Sequence, residues 1–344
     1  MSPPKRILVV GSGRRVVEAA LPVIARAGDS WELAGVLSRK PKTILSEGVE
    51  HEVRGLDELT RERLSGIDLV YMVGAKPAVP ALLRRFEAVD RGRLDLLIET
   101  PVLLVRHLGH RRLLAPFRNV WVSEDCSTLP IFDVLREFVA TGAIGALRSA
   151  TFDRSAYAYH GLAMVKTALG GGRVRRARQR PAPGGLRVRT IELESGLRAT
   201  IFDPRDYALG AMTFEGERGR ISDTEPAAAG VHRLEARVES GRCRGFAIGD
   251  VRRELSPAEI ELMGMRGQGP GVTAWMDGLK RVGFLALLRN IAAGDGAYPL
   301  DDAIEDSVVD YFLERLGRYR ATPFTYPNAG PARLAFSLLT RLAP

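Results

Sequence analysis

Short apolar runs alternate with helical patterns over the first third of the chain. Residues 7–10 form a β-type apolar run that meets Gly11-Ser12-Gly13, and a helical pattern follows at once through Glu18, Ala19, Ala20, Leu21 and Ile24. A second strand is predicted over 31–37, closing in Ser38-Arg39-Lys40-Pro41-Lys42, and a short helix over 57–64. Residues 68–73 are almost wholly apolar, as a strand buried on both faces should be. A helix over 80–90 and a strand over 94–98 follow, the latter ending in Glu99-Thr100-Pro101. A helix over 104–114 and a strand over 120–122 complete the series. Strands alternating with helices predict an α/β fold whose N-terminal part is a doubly wound parallel sheet of the Rossmann kind.

The pattern changes near residue 124. An amphipathic helix is predicted over 131–141, closed by Gly142, and a strand over 147–152. A helix over 162–169 ends at Gly170-Gly171-Gly172. Strand patterns then recur at 174–180, 186–194, 197–202, 211–214 and 234–239, with turn signals at Ser195-Gly196 and Glu215-Gly216. Runs of strands separated by turns predict a second α/β domain with an open, mostly antiparallel sheet. Helical patterns return at 273–293 and 299–320, where Asp301-Asp302 could cap the last helix. The expected division is a dinucleotide-binding domain over 1–122, a substrate and dimerisation domain over 123–322, and a proline-spaced tail over 323–344 with one amphipathic piece at 332–342. The final helix, 299–320, can pack back on the first domain.

Composition is ordinary for a globular protein, with 45% hydrophobic and 26% charged residues. No apolar run reaches the roughly 18 residues of a membrane span, and no signal-peptide core is visible, so the expected location is cytoplasmic. Cys126 and Cys243 fit a reducing compartment and give no metal-ligand spacing. The net charge of +9 comes almost entirely from arginine. Without a nucleic-acid module or interleaved aromatic residues, the charge does not point to DNA or RNA. Positive charge near a site also suits an anionic cofactor or substrate. Residues 173–189 hold seven arginines, read as the outward face of a sheet strand, with a subunit interface or anion patch as the alternative.

Four stretches can carry chemistry. A strand, a glycine turn and a helix place a phosphate at a helix N-terminus, with Gly11 making the tight turn and Gly13 leaving the backbone open to a pyrophosphate. Ser12 and Arg14 stand beside them, but Val16 occupies the third glycine's place and should set the helix slightly off the strand. An ordinary strand–helix turn gives the same pattern. Second, Ser38, Arg39 and Lys40 stand where an NAD-preferring domain carries a carboxylate for the ribose 2′-hydroxyl; a hydroxyl and cations there favour the 2′-phosphate of NADP, with NAD the alternative. Third, Glu99 and Thr100 lie at a strand's C-terminal end, where open α/β sheets bind ligands, although Glu99 can equally hydrogen-bond its own loop. Fourth, Tyr157-Ala158-Tyr159-His160 offers an imidazole and phenols as proton donors, although such a histidine can also simply pack beneath a helix.

The order and spacing of these residues resemble the Gfo/Idh/MocA family of glucose–fructose oxidoreductase and inositol dehydrogenase-like enzymes. Residues 7–21 resemble the family's first βα unit, 68–83 its strand and helix after the second unit, and Glu99-Thr100-Pro101 its Glu-Lys-Pro. Pro130 and Thr141-Gly142-Ala143-Ile144-Gly145 resemble the helix and turn that open the second domain; Pro299-Leu300-Asp301-Asp302-Ala303 resembles the start of the last helix. His160 matches the substrate-domain histidine. The resemblance implies hydride transfer between NAD(P) and a sugar or cyclitol carbon, and a homo-oligomer formed through the C-terminal sheet. Two departures bear on chemistry: the family's lysine is Thr100 here, and its aspartate four residues before the histidine is Ala156. The loop before His160 is also short, and a short loop ending in tyrosine is similar to that of thiazolinyl imine reductases. Tyr159 and His160 are therefore the expected proton donors for a carbonyl or imine substrate, and a dinucleotide-binding protein without turnover is the alternative.

Overall fold

The structure is a computed structural model and describes residues 3–321. The 323–344 tail and its amphipathic piece lie outside the described residues. The chain forms two compact units. One takes in the residues up to Glu124 together with Phe284–Ser307; the other takes in Asp125–Gly283 and the described residues from Val308 onward. The first division thus falls at 124/125, two residues after the expected one, and a segment from the C-terminal helices belongs with the first unit.

The first unit is built on β1 (Lys5–Val10), α1 (Leu21–Arg26), β2 (Trp31–Ser38), β3 (Lys42–Ser46), β4 (Val49–Gly55), α2 (Arg61–Leu64), β5 (Leu69–Met72), α3 (Val79–Arg85), β6 (Asp95–Glu99) and β7 (Asn119–Ser123). Its seven strands run in the order β3-β4-β2-β1-β5-β6-β7, parallel throughout except for the β3–β4 hairpin. Ile7, Leu8 and Val9 are completely buried, and so is the whole of β5, because parallel strands are covered on both faces. The strand order reverses between β1 and β5, which opens a crevice at their C-terminal ends.

Three local expectations are corrected in this unit. Residues after Ser38 form the β3–β4 hairpin, where Ile44 and Val53 alternate with polar residues; α2 is only the end of the helix expected over 57–64. The 104–114 stretch winds as 3₁₀ turns over Val105–Leu113, since its apolar residues Val105 and Leu108 recur at three and Gly109 follows. The helix after the glycine turn begins with one wide π turn, Val16–Ala20, in which Val16 is completely buried.

The second unit contains α4 (Pro130–Ala140), β8 (Leu147–Asp153), α5 (Ala158–Ala168), β9 (Val174–Pro181), β10 (Arg187–Leu193), β11 (Arg198–Asp203), β12 (Ala211–Gly216), β13 (Arg220–Ser222), β14 (Val231–Glu239), β15 (Arg242–Ile248), β16 (Val251–Glu254) and α6 (Pro257–Met263). Helices α7 (Met276–Ala293) and α8 (Leu300–Leu316) each contribute to both units, and β17 (Arg318–Arg320) follows. The ten strands run β16-β15-β14-β13-β12-β8-β11-β10-β9-β17, antiparallel except at β8–β11 and β13–β14. The helix expected to reach residue 320 stops at Leu316, because Gly317 turns with φ +66° and Arg318–Arg320 pairs with β9.

The arginine run divides by side of the sheet. Arg176 and Arg178 are exposed, as expected, whereas Arg189 is 1% exposed. Its guanidinium pairs with Asp310 at 2.6 Å, with Asp203 at 3.3 Å and with Glu314, so that α8 is tied to β10 and β11 by a buried cation. Burial raises the Asp310 carboxyl, and Arg189 opposes that rise. Replacing Arg189 with Met leaves these carboxylates facing one another. The expected loss is about 3 kcal/mol at pH 7, read by urea denaturation, and it shrinks below about pH 4 as the acids take up protons.

Candidate active site

Gly11 and Gly13 do different work. Gly11 donates its N–H to the Leu37 carbonyl at 2.8 Å and adopts φ +147°. A Cβ there would stand 2.2 Å from the Val73 carbonyl oxygen, so only glycine can pass Val73 just beyond the paired ends of β1 and β5. A Cβ on Gly13 would have nothing within 4 Å, and its φ is not left-handed. The helix starts from its carbonyl, which accepts the N–H of Val16 at 3.0 Å and of Val17 at 3.3 Å.

The space beside Gly13 is a cavity of about 510 Å³ at the strand-order reversal. Gly11, Ser12 and Gly13 line one side, Ser38, Arg39, Lys40 and Lys42 another, and Val73-Gly74-Ala75 the rest of the rim. The Ser38 hydroxyl donates to the Lys40 carbonyl at 2.8 Å and Lys42 Nζ donates to the Ser12 carbonyl at 3.3 Å, so the two loops are fastened to each other. Arg39 and Lys40 form no ion pair among the described residues. Arg14 does not line the cavity; its guanidinium pairs with Glu18 one turn along at 2.7 Å.

Glu99 and Thr100 also stand apart from that cavity's lining. At the end of β6 the Glu99 carboxylate accepts the Tyr71 hydroxyl in a short hydrogen bond, the Ser123 hydroxyl at 3.2 Å and Arg15 Nε at 3.4 Å. Thr100 is buried and donates to Glu124 at 3.2 Å. Burial, then the Glu99 carboxylate, pushes the Tyr71 phenol far up. Lys76, just after β5, donates to the Glu99 carbonyl at 2.6 Å. Burial lowers this ammonium to about 8, with Glu99 opposing and Arg15 assisting.

In the second unit, His160 and Tyr159 lie in the first turn of α5. The His160 ring packs 4.3 Å from that of Tyr159 and 5.1 Å from that of Tyr157, and one of its nitrogens lies within 4.8 Å of Cys126 Sγ. The short loop before it is strained: Arg154 and Ala158 both take left-handed φ, +51° and +49°. Tyr157, on that loop, stacks under the Arg205 guanidinium at 4.1 Å and lies 5.4 Å from Lys280 Nζ. Lys280, from α7, donates to the Tyr207 hydroxyl at 2.8 Å. Burial lowers the Lys280 ammonium, but Cys126, Tyr207, Asp125 and Tyr157 around it outweigh that and hold it above the usual lysine range. Burial raises both phenols, while Lys280 and Arg205 pull them back.

No protein-family model and no curated protein sequence compared with the chain matches it. Solved structures do. A myo-inositol dehydrogenase from Corynebacterium glutamicum superposes with a TM-score of 0.57 at 16% identity, over 93% of this chain and 99% of that one. The aldose-aldose oxidoreductase of Caulobacter crescentus gives 0.59 at 13% identity, over 92% and 100%. An oxidoreductase from Agrobacterium radiobacter, solved with NAD+, L-tartaric acid and magnesium, gives 0.59 at 12% identity, over 92% and 98%. The chain has the Gfo/Idh/MocA fold. Thr100 and Ala156, which the resemblance sets against the family's lysine and aspartate, are both buried. A lysine nonetheless reaches the end of β6, from residue 76. Arg205, Tyr207 and Lys280 were not singled out in the sequence: they come from two distant segments, and only folding brings them together. Lys76 has an independent check. Of the six lysines, the 13Cε signal lost in Lys76→Met should titrate near pH 8; a signal unchanged up to about pH 10, the ordinary lysine range, contradicts the geometry described for it.

Proposed function

We propose that the chain is an NADP(H)-dependent oxidoreductase that moves hydride between the cofactor and a small carbonyl or imine, sugar- or cyclitol-like in the first case. The observation that carries the cofactor reading is Gly13. The protein's own packing and backbone do not require glycine there, and Gly13 lines the cavity at the start of the first helix. A pyrophosphate needs that bare backbone and the helix N-terminus beside it. Ser38, Arg39 and Lys40 would take the adenosine ribose end, where two cations with no ion pair among the described residues and the lack of a carboxylate at the end of β2 favour a 2′-phosphate. When bound, the nicotinamide supplies the hydride chemistry; the protein supplies orientation and a proton. The NAD+ complex of the Agrobacterium radiobacter oxidoreductase supports a nicotinamide dinucleotide on this fold. Thr100 and Ala156 support a second reading, dinucleotide binding without turnover.

Fluorescence titration with NADPH and NADH, followed by NADPH oxidation over a panel of carbonyl and cyclic imine compounds, separates the two readings. Binding with no turnover on the panel favours the second, and no binding of either dinucleotide removes both. Gly13→Ala should weaken NADPH binding at least about tenfold with an unchanged melting temperature, whereas Gly11→Ala should lower the melting temperature. Arg39→Ala and Lys40→Ala should each cost about tenfold in NADPH affinity, the worth of a charge-assisted hydrogen bond, and leave NADH unaffected.

A further inference from the structure

Strand register gathers the outward arginines of residues 173–189 with others from distant parts of the chain. On one side of the second unit's sheet Phe152, Ile201, Met212 and Phe214 are buried. Alternation along each strand puts the residues between them on the other side, and the pairing lines these up in two rows. Across β17, β9, β10, β11, β8 and β12 the first row reads Arg318, Arg178, Thr190, Thr200, Thr151 and Thr213. The second reads Arg320, Arg176, Glu192, Arg198, Ser149 and Glu215. Neighbours within a row stand about 5 Å apart and the rows about 7 Å apart along the strands. Arg180 continues β9 by one more step. Arg176, Arg178, Arg180, Arg198, Arg318 and Arg320 are all exposed on this face. Arg176 pairs with Glu192 at 2.5 Å; the other five form no ion pair among the described residues. A depression of about 330 Å³ lies among Arg176, Arg178, Thr190, Glu192, Arg198 and Thr200.

We propose that this face docks an extended acidic segment of a partner protein, with carboxylates at alternating positions. The docking is independent of what the first unit binds. An extended chain presents side chains on one side every ~7 Å, which is the spacing of Arg176, Arg178 and Arg180 along β9 and of Arg318 and Arg320 beside them. A segment lying along β9 and β17 therefore meets arginines from both strands at two successive steps. A guanidinium takes a carboxylate through two parallel N–H groups. Glu192 already shows how such a carboxylate is held: the Arg176 hydrogen bond lowers it against desolvation, with Arg175 and Arg198 assisting. Other occupants match less well. The two rows hold no aromatic ring on which a nucleic-acid base could stack. Within them Glu215 is the one exposed carboxylate, five strands from Arg320, so a second copy laid on this face gives the arginines little to meet. The sequence after residue 321 holds Arg333, Arg341 and no acidic side chain, so it brings no counter-charge.

The probe is a fluorescein-labelled peptide of alternating Glu and Ser, read by fluorescence anisotropy against the full chain. It should bind more tightly than a peptide of the same composition with its glutamates in one block, and its affinity should fall as salt rises. Arg178→Glu with Arg318→Glu should weaken binding about tenfold, the combined worth of two exposed ion pairs, at an unchanged melting temperature. Arg178→Gln with Arg318→Gln should give a smaller loss in the same direction, and it keeps the test open if reversed charges disturb the sheet. Arg61→Glu with Arg93→Glu removes the same charge from exposed arginines of the first unit and should change the affinity less than about twofold. No binding, an equal loss in both charge-reversed pairs, or equal affinity for the blocked peptide overturns the proposal. So does a single-stranded oligonucleotide of equal charge that binds more tightly through Arg178 and Arg318, which makes the partner a nucleic acid. A dimer in analytical ultracentrifugation that Arg178→Glu with Arg318→Glu dissociates assigns the face to a second copy instead.

Discussion

The first unit depends on one approach that only glycine permits. Gly11 passes so close to the Val73 carbonyl that a β-carbon would overlap it. That contact lies just beyond the ends of the paired strands β1 and β5. The chain leaves β1 to one side and returns through β5 to the other, so the two loops diverge immediately beyond the contact. The crevice exists because the strands are close and their continuations are not. Everything lining it follows: the glycine turn from β1, the cationic loop from β2, and Gly74-Ala75 from β5.

Beyond the backbone, each unit has polar groups arranged by which partner each polar hydrogen finds. In the first unit a carboxylate collects donors: Glu99 takes a phenol, a hydroxyl and a guanidinium, and is spent on holding the strand ends together. In the second, cations gather around phenols whose protons no acid takes up among the described residues. A buried tyrosine tied to a carboxylate is a structural element, since giving up its proton would set two anions side by side. A buried tyrosine beside an ammonium has the opposite balance, because proton loss creates an ion pair in a medium where ion pairs are strong. The same residue type thus holds its proton more or less firmly according to the sign of its neighbour.

The sequence made the fold legible wherever burial was two-sided or the period was strict. The runs at 7–10 and 68–73 could hardly be anything but central strands, and the glycine turn gained meaning from the alternation after it. The β3–β4 hairpin was hidden because its strands are mostly exposed and polar, leaving Ile44 and Val53 as the signal. The 3₁₀ stretch at Val105–Leu113 was hidden because periods of three and four are hard to separate over so few turns. Gly11, Ser12, Gly13, Ser38, Arg39 and Lys40 were legible as a group, since they sit at strand ends that the pattern itself locates. Tyr207 and Lys280 were not. Neither belongs to a motif, and 73 positions separate them; their meaning lies in a hydrogen bond that sequence spacing does not encode.

The two lysines show how neighbours decide whether a buried ammonium keeps its charge. Neither stands at residue 100, where the resemblance places one, yet each brings an ammonium to a defined polar group. Lys76 faces a backbone carbonyl with Arg15 nearby, so burial wins and the proton is held loosely enough to exchange near neutrality. Lys280 is buried too, but a thiol, two phenols and a carboxyl surround it, so it keeps its charge. Burial acts in the same direction on both, and the difference lies in the neighbours. A lysine held charged cannot serve as the acid, because it does not release its proton, but it lowers the cost of an anion on the oxygen it touches. In this chain that oxygen is the Tyr207 phenol.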